Sequence, residues 1–277
     1  DSSGEIKCSR KFEGNAINGG VTSPGATVAL GLMYIRSNND AVAQRVAIPD
    51  THFLLDYIRP DFLMLREICF NLIMWDNVKA SEDWLKEQVP PVVHTSMEMI
   101  ESARDQNHSF DVMGIKQAHA YVVTGACFSI GLKYAGTAHK GAVDLLTAKV
   151  CYFKMLREKS SHWHRPDRCT LETCLGTCAL ALAMVMAGTG ELKTLRLFRE
   201  LRMAPVDEEI TYGNHMAVGM AIGLLFLSGG QATLGRSNTS IAALVCSLYP
   251  RFPLTSEDNQ YHLQPLRHLY VCLLILT

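Results

Sequence analysis

Four stretches of this sequence repeat one another, and that repetition limits the fold more than any other feature. Gly25 to Ser37 reads GATVALGLMYIRS, and Gly125 to Thr137 reads GACFSIGLKYAGT. Thr177 to Thr189 reads TCALALAMVMAGT, and Ala217 to Gly229 reads AVGMAIGLLFLSG. The seventh residue is Gly31, Gly131, Ala183 or Gly223, and the tenth is Tyr34, Tyr134, Met186 or Phe226. A small residue followed three places on by a large one is a single helix face presented repeatedly. Internal repetition outranks a lone motif when a fold is inferred. The intervals are 100, 52 and 40 residues. The last two suit a helix pair with loop insertions; the first leaves room for a further unit that does not align.

Partner helices follow the repeated ones. Ala142 to Leu156 carries Val143, Leu146, Val150, Phe153 and Leu156 at helical spacing, and Leu192 to Leu201 carries Leu192, Leu195, Phe198 and Leu201. Ile241 to Leu248 follows a capping stretch, Asn238-Thr239-Ser240, and stops before Pro250. Each unit therefore predicts an apolar helix, a glycine-rich turn and an amphipathic helix. Crowding explains the small residues of the first, and one wet face explains the second. Pairs of this kind bury their cores by stacking, so the expected class is all-α: an α-solenoid or partial helical ring of antiparallel helix pairs.

Met216 to Leu234 holds 19 residues without a charge, enough in length to span a bilayer. Its strongly apolar part ends at Leu227, glycines crowd it, and no Lys or Arg cluster flanks it, so a buried core helix is expected. A dinucleotide-binding turn fails because no β-rich strand precedes the glycines.

An apolar share of 48% against 19% charged residues predicts a well-buried globular chain. A net charge of -1 offers nothing general to nucleic acid. Nine cysteines, most of them in apolar runs, read as reduced core residues. Zinc has one candidate set: His162, His164, Cys169, Cys174 and Cys178. Cys174 and Cys178 stand one turn apart in an apolar helix, and no tight C-x2-C pair occurs, so buried thiols are the expectation. Asp50-Thr51-His52 and Asp207-Glu208-Glu209 contain acid–base residue types but read better as caps or charged loops. No GxSxG, HExxH, Walker or kinase motif appears. The expectation is no catalytic residue, no cofactor, no metal, no nucleic acid and no membrane. Lys193, Arg196 and Arg199 form one basic helix side, a solvated face or a contact for an acidic partner.

Pro60 is placed to start a helix through Ile73, and Trp84 lies in a short charged helix before Pro90-Pro91. Glu101 to Ser109 and Ser160 to Arg168 read as loops, and a helix is expected from about Tyr261. Residues 1–253 thus read as the repeat region, with repeat helices near 25–37, 125–137, 177–189 and 217–229. Residues 254–277 read as the start of a truncated flanking segment whose apolar end, Val271 to Leu276, neighbouring sequence should cover.

The repeats resemble proteasome/cyclosome repeats. Pro49 to Arg66 (PDTHFLLDYIRPDFLMLR), Leu171 to Leu195 (LETCLGTCALALAMVMAGTGELKTL), His215 to Pro253 (HMAVGMAIGLLFLSGGQATLGRSNTSIAALVCSLYPRFP) and Tyr261 to Val271 (YHLQPLRHLYV) resemble the anaphase-promoting complex subunit 1 family. That resemblance implies a helical ring or solenoid, and a non-catalytic scaffold within a multisubunit ubiquitin ligase of mitosis and G1. It implies the other subunits of that complex and a coactivator as partners, in nucleus and cytoplasm. The large proteasome regulatory-particle subunits share the repeat type, so a protein-binding subunit of such an assembly is the alternative. Family members hold more repeats than these four and continue past Tyr270.

Overall fold

Polar caps and prolines cut the chain into helices. The computed structural model describes residues 19–102, 110–158, 165–203, 212–253 and 264–276. In chain order the helices are α1 (Gly19–Met33), α2 (Asp40–Val46), α3 (His52–Leu55), α4 (Pro60–Ile73), α5 (Glu82–Glu87) and α6 (Pro91–Ser102). Then come α7 (Val112–Lys133), α8 (Lys140–Glu158), α9 (Arg168–Val185), α10 (Leu192–Arg202), α11 (Tyr212–Leu225) and α12 (Asn238–Ser247). A 3-10 helix covers Gln264–Leu273, and β1 (Ala232–Leu234) pairs antiparallel with β2 (Leu274–Leu276). Side chains of Asn39, Thr51, Ser81, Asp111, Asp167, Glu191 and Ser237 accept backbone N–H groups at helix starts. Pro60 opens α4 as its sequence position predicts. The cap of α12 is Ser237, one residue before the Asn238-Thr239-Ser240 stretch.

The fold is an all-α helical repeat domain. Five inner helices, α1, α4, α7, α9 and α11, pack in that order, each against the next. The outer helices α2, α6, α8 and α10 each pack on the inner helix that follows them in sequence. This division explains the two compositions. Nearly every residue of α9 from Thr170 to Val185 is buried, so the helix is apolar all round. In α10 only Thr194, Phe198 and Leu201 are buried, and its charges face water. By length and apolarity α9 passes for a membrane span, but 83% of it is buried by its neighbours, and α11 has only 14 residues.

The turns carry a second repetition, invisible in the hydrophobic pattern. After α1, the N–H groups of Arg36 and Asn38 donate to the carbonyls of Leu72 and Ile73 at 2.8 and 2.9 Å. After α7, Gly136 and Ala138 donate to Met184 and Val185 at 2.8 and 3.0 Å. After α9, Gly188 and Gly190 donate to Leu224 and Leu225 at 3.0 and 2.9 Å. Motif positions twelve and fourteen thus tie each turn to positions eight and nine of the next inner helix. This register aligns the missing unit: Leu72 and Ile73 at positions eight and nine make Leu65 to Asn77 the fifth copy, with Met74 at position ten. At its own turn the direction is reversed, and a side chain of the next inner helix donates to the turn. The Lys133 ammonium donates to the carbonyls of Trp75, Asp76 and Val78 at 2.9, 3.2 and 2.8 Å.

Two straps cross the ends of the row. Thr233 Oγ1 donates to the carbonyl of Ala187 at 3.1 Å and lies 3.3 Å from that of Gly136, and Arg36 Nη2 donates to the carbonyl of Arg236 at 2.6 Å. Six residues, Gln231 to Arg236, therefore run from the turn after α11 back to the turn after α1. Fully extended, and with the Arg36 side chain and its hydrogen bond added, they reach only about 30 Å, whereas four straight junctions of 8–10 Å would need roughly 32–40 Å. The row is therefore curved. From there α12 leads to the second strap, where Arg251 Nη1 meets Asp61 at the start of α4 at 3.1 Å. Ile241, Leu244, Val245 and Leu248 join the same core as the inner row. The tail runs beside α12 and ends in β2. The expected uncovered apolar end is thus paired along its backbone, although Ile275 and Leu276 keep exposed side chains.

Candidate functional site

Of the four small residues singled out in the sequence, Gly31, Gly131 and Ala183 are buried and Gly223 is exposed. A Cβ added at Gly31 would lie 3.0 Å from Cys69 Cβ, and one at Gly131 would lie 2.8 Å from Ala181 Cα. Ala183 is fully buried. Two further glycines act alike: Gly125 sits against the Met64 carbonyl and Glu67 Cβ of α4, and Gly176 against Ala217 Cβ of α11. Gly223 corrects the expectation. No described atom comes within 4 Å of a Cβ built there, and the same holds for Gly219. The reason is position in the row: α11 packs on α9 with its other side, and among the described residues no further inner helix follows. The large residues Tyr34, Tyr134, Met186 and Phe226 all close their helices, each donating its N–H to the carbonyl four residues back. Phe226, beside the open face, is 43% exposed.

Ionisable groups inside the row are pushed toward their neutral forms. Glu67 is buried between α4 and α7, where desolvation raises its carboxyl to about 8 despite the 2.5 Å hydrogen bond from Asn71 Nδ2. Cys127 on α7 is raised through its contact with Cys178 on α9 and through burial. Burial likewise raises Cys174, and lifts Cys69 to about 12. Desolvation drives His119 down to about 4. Neutral thiols and a protonated carboxyl suit a helix interface and are poor nucleophiles or bases at neutral pH. Glu172 is also raised by burial, with Arg157 Nη1 3.7 Å away.

The remaining candidates separate. Asp50 accepts the N–H of Val92 at 2.9 Å, and Thr51 caps α3. His52 lies stacked on Phe110 at 4.9 Å, with Nε2 3.3 Å from Ser96 Oγ. That trio is a loop-to-helix clasp. His162, His164 and Asp207 to Glu209 lie outside the described residues, among which no group of three His, Cys, Asp or Glu side chains is placed to hold a metal. Lys193, Arg196 and Arg199 are exposed on α10. A hollow of about 310 Å³ lies at the N-terminal ends of the inner helices. Its groups are already paired: Arg59 and Arg251 share Asp61, while Asp167 takes Gln117 and Thr170. What the arrangement presents is helix faces and turn edges.

A family model described as the APC1 fifth domain matches residues 2–274. The chain is 43% identical over 265 residues to "Anaphase-promoting complex subunit 1" of Homo sapiens, covering 94% of this chain and 13% of that protein. It is 41% identical over 272 residues to the protein of the same name from Arabidopsis thaliana, covering 94% of this chain and 16% of that one. A protein of Emericella nidulans called "Negative regulator of mitosis" is 39% identical over 249 residues, covering 89% of this chain and 12% of its own length. The chain thus spans a small fraction of the relatives it matches.

Proposed function

This chain belongs to the APC1 fifth-domain family, and from that premise we propose that it serves as a non-catalytic scaffold segment of an anaphase-promoting complex. In this reading the complex is a ubiquitin ligase of mitosis and G1, whose other subunits and coactivator are the partners. The chemistry belongs to those partners, and this domain supplies geometry in nucleus and cytoplasm. The observation that carries the reading is the row itself. Its buried thiols and the Glu67 carboxyl are pushed toward their neutral forms between helices, and its addressable groups are outer helix faces and turn edges, as suits a protein that is bound on its sides. Affinity purification of the tagged full-length protein with mass spectrometry tests it. Ubiquitin-ligase subunits should co-purify in fixed proportion. Recovery of proteasome regulatory-particle subunits instead, or of no stable partner, would refute the reading.

A further inference from the structure

At motif position twelve the turns after α7 and α9 carry Gly136 and Gly188 and the turn after α11 carries the small Ser228, while the turn after α1 carries Arg36 in the same left-handed backbone, φ +58°. A bulky residue where glycine is favoured points to a use for its side chain. The Arg36 guanidinium lies 4.5 Å over the Trp75 ring, and Nη2 donates to the Arg236 carbonyl at 2.6 Å. That bond uses only the backbone of Arg236. The Arg236 side chain remains exposed, a like charge beside Arg36. Lys133 enters from the end of α7. Together Arg36, Trp75, Asp76, Lys133, Tyr134 and Arg236 line an open hollow of about 540 Å³. The single carboxylate there, Asp76, already accepts from Asn38 Nδ2 at 2.7 Å. Arg36 Nε is buried without a hydrogen-bond partner.

We propose that this hollow binds a carboxylate carried by an acidic segment of a partner protein. Arg36 and Arg236, from separate parts of the chain, converge on one concave surface against one carboxylate, and Lys133, whose ammonium already donates to the carbonyls of Trp75, Asp76 and Val78, adds its charge from behind. Desolvation first, and then Arg236, holds the Arg36 guanidinium below its usual range; desolvation does most of the same to Lys133, with Arg36 and Lys79 adding to it. An anion between these groups relieves the repulsion. The wide mouth admits a side chain still attached to an extended segment, and Trp75 and Tyr134 wall the place where an aliphatic stem lies. Asp76 weighs against a polyphosphate backbone. The basic side of α10 is richer in cations but convex, so nothing there converges.

This inference takes from the scaffold reading only the choice of a protein as partner. Its test uses the 277-residue chain alone, so its failure leaves the affinity purification standing. The probe is acetylated, amidated tetraglutamate, followed by tryptophan fluorescence and by the shift in Tm. Binding should saturate, and chloride at equal ionic strength should not reproduce it. Arg236→Gln, which keeps the backbone acceptor, should weaken binding at least tenfold while Tm does not fall. Arg236→Glu should abolish binding and raise Tm, because it supplies a carboxylate beside Arg36. Lys193→Gln on α10 should leave binding unchanged. A response matched by chloride, a loss at Lys193→Gln as large as at Arg236→Gln, or tighter binding of single-stranded oligothymidylate would each overturn the proposal.

Discussion

Gly131 and Gly223 occupy the same place in the same motif, and their surroundings share nothing. At Gly131 an added Cβ would lie 2.8 Å from Ala181 Cα and 2.7 Å from Met184 Cε; at Gly223 it would meet no described atom within 4 Å. Glycine inside a helix costs about 1 kcal/mol against alanine. At the α7–α9 junction that cost is offset by close packing of two backbones. On α11 nothing within the described residues offsets it. A small residue in a repeat therefore specifies a capacity for close approach, and only a neighbour turns that capacity into a contact.

The largest expected effect strikes the filled junction. Gly131→Leu forces bulk into helix backbone, where overpacking typically costs about 1–3 kcal/mol and more when the obstacle cannot move. Ala181 Cα is such an obstacle. Thermal unfolding should show a loss at or above the top of that range. A Tm within a degree or two of wild type would erase the contrast with Gly223.

A second test asks whether the filled junctions also carry a pH signature that the open face lacks. Glu67 sits against Gly125 with its carboxyl raised from 4.5 to about 8. A raised acid leaves stability whole below the unfolded value; stability then falls as pH climbs from there up through the folded value, and levels off above it. At about 1.4 kcal/mol per unit the decline amounts to a few kcal/mol. His119, lowered to about 4, costs stability on the other side, as pH falls below 6.5. Urea melts between about pH 6.5 and 8.5 therefore isolate Glu67. Glu67→Gln, which keeps an acceptor for Asn71, should flatten the slope and be the more stable protein at pH 8.5. Parallel slopes for the two proteins would show that the carboxyl titrates normally.

The α4–α7 junction sharpens the comparison differently, because a side chain there does what backbone does elsewhere. Lys133→Met removes the donor from three carbonyls. Leaving a buried polar group unpaired costs about 1–3 kcal/mol, and the Trp75 and Val78 contacts are part-buried. Denaturant midpoints should place the loss inside that range, whereas at Gly136 or Gly188 only proline, which lacks the N–H, would remove the corresponding backbone donor. A neutral Lys133→Met would mean that water serves those carbonyls equally well.

Four repeats were legible because hydrophobic side chains report burial. The fifth was hidden because its position seven is Asn71 rather than a small residue, and Glu67 interrupts its apolar face. Both side chains are buried and satisfy each other, which no single-residue pattern reveals. The helix bounds were readable from caps and prolines. The straps were not, since Thr233 and Arg36 act through backbone carbonyls distant in sequence. Nor was the empty side of Gly223, because a motif describes one helix and says nothing of whether another lies beside it. Arg36 was hidden for a related reason: it is unusual only against Gly136 and Gly188, once the turns are in register.

The smallest effect decides most cleanly between motif and surroundings. Motif alone assigns Gly223→Leu an overpacking penalty of about 1–3 kcal/mol. The structure assigns it the opposite sign. With no described atom within 4 Å of the added carbon, the change trades glycine for a good helix former on an exposed face. Gly223→Ala should gain up to about 1 kcal/mol in the isolated chain, and Gly223→Leu somewhat less. Thermal melts of both variants beside Gly131→Ala give the sign directly, since alanine at position 131 meets Ala181 and alanine at 223 meets nothing. A destabilised Gly223→Leu in the isolated chain would mean that α11 is covered after all. If the isolated chain is stabilised but the full-length protein carrying the same leucine assembles poorly, the glycine is kept for a contact made only in the assembly.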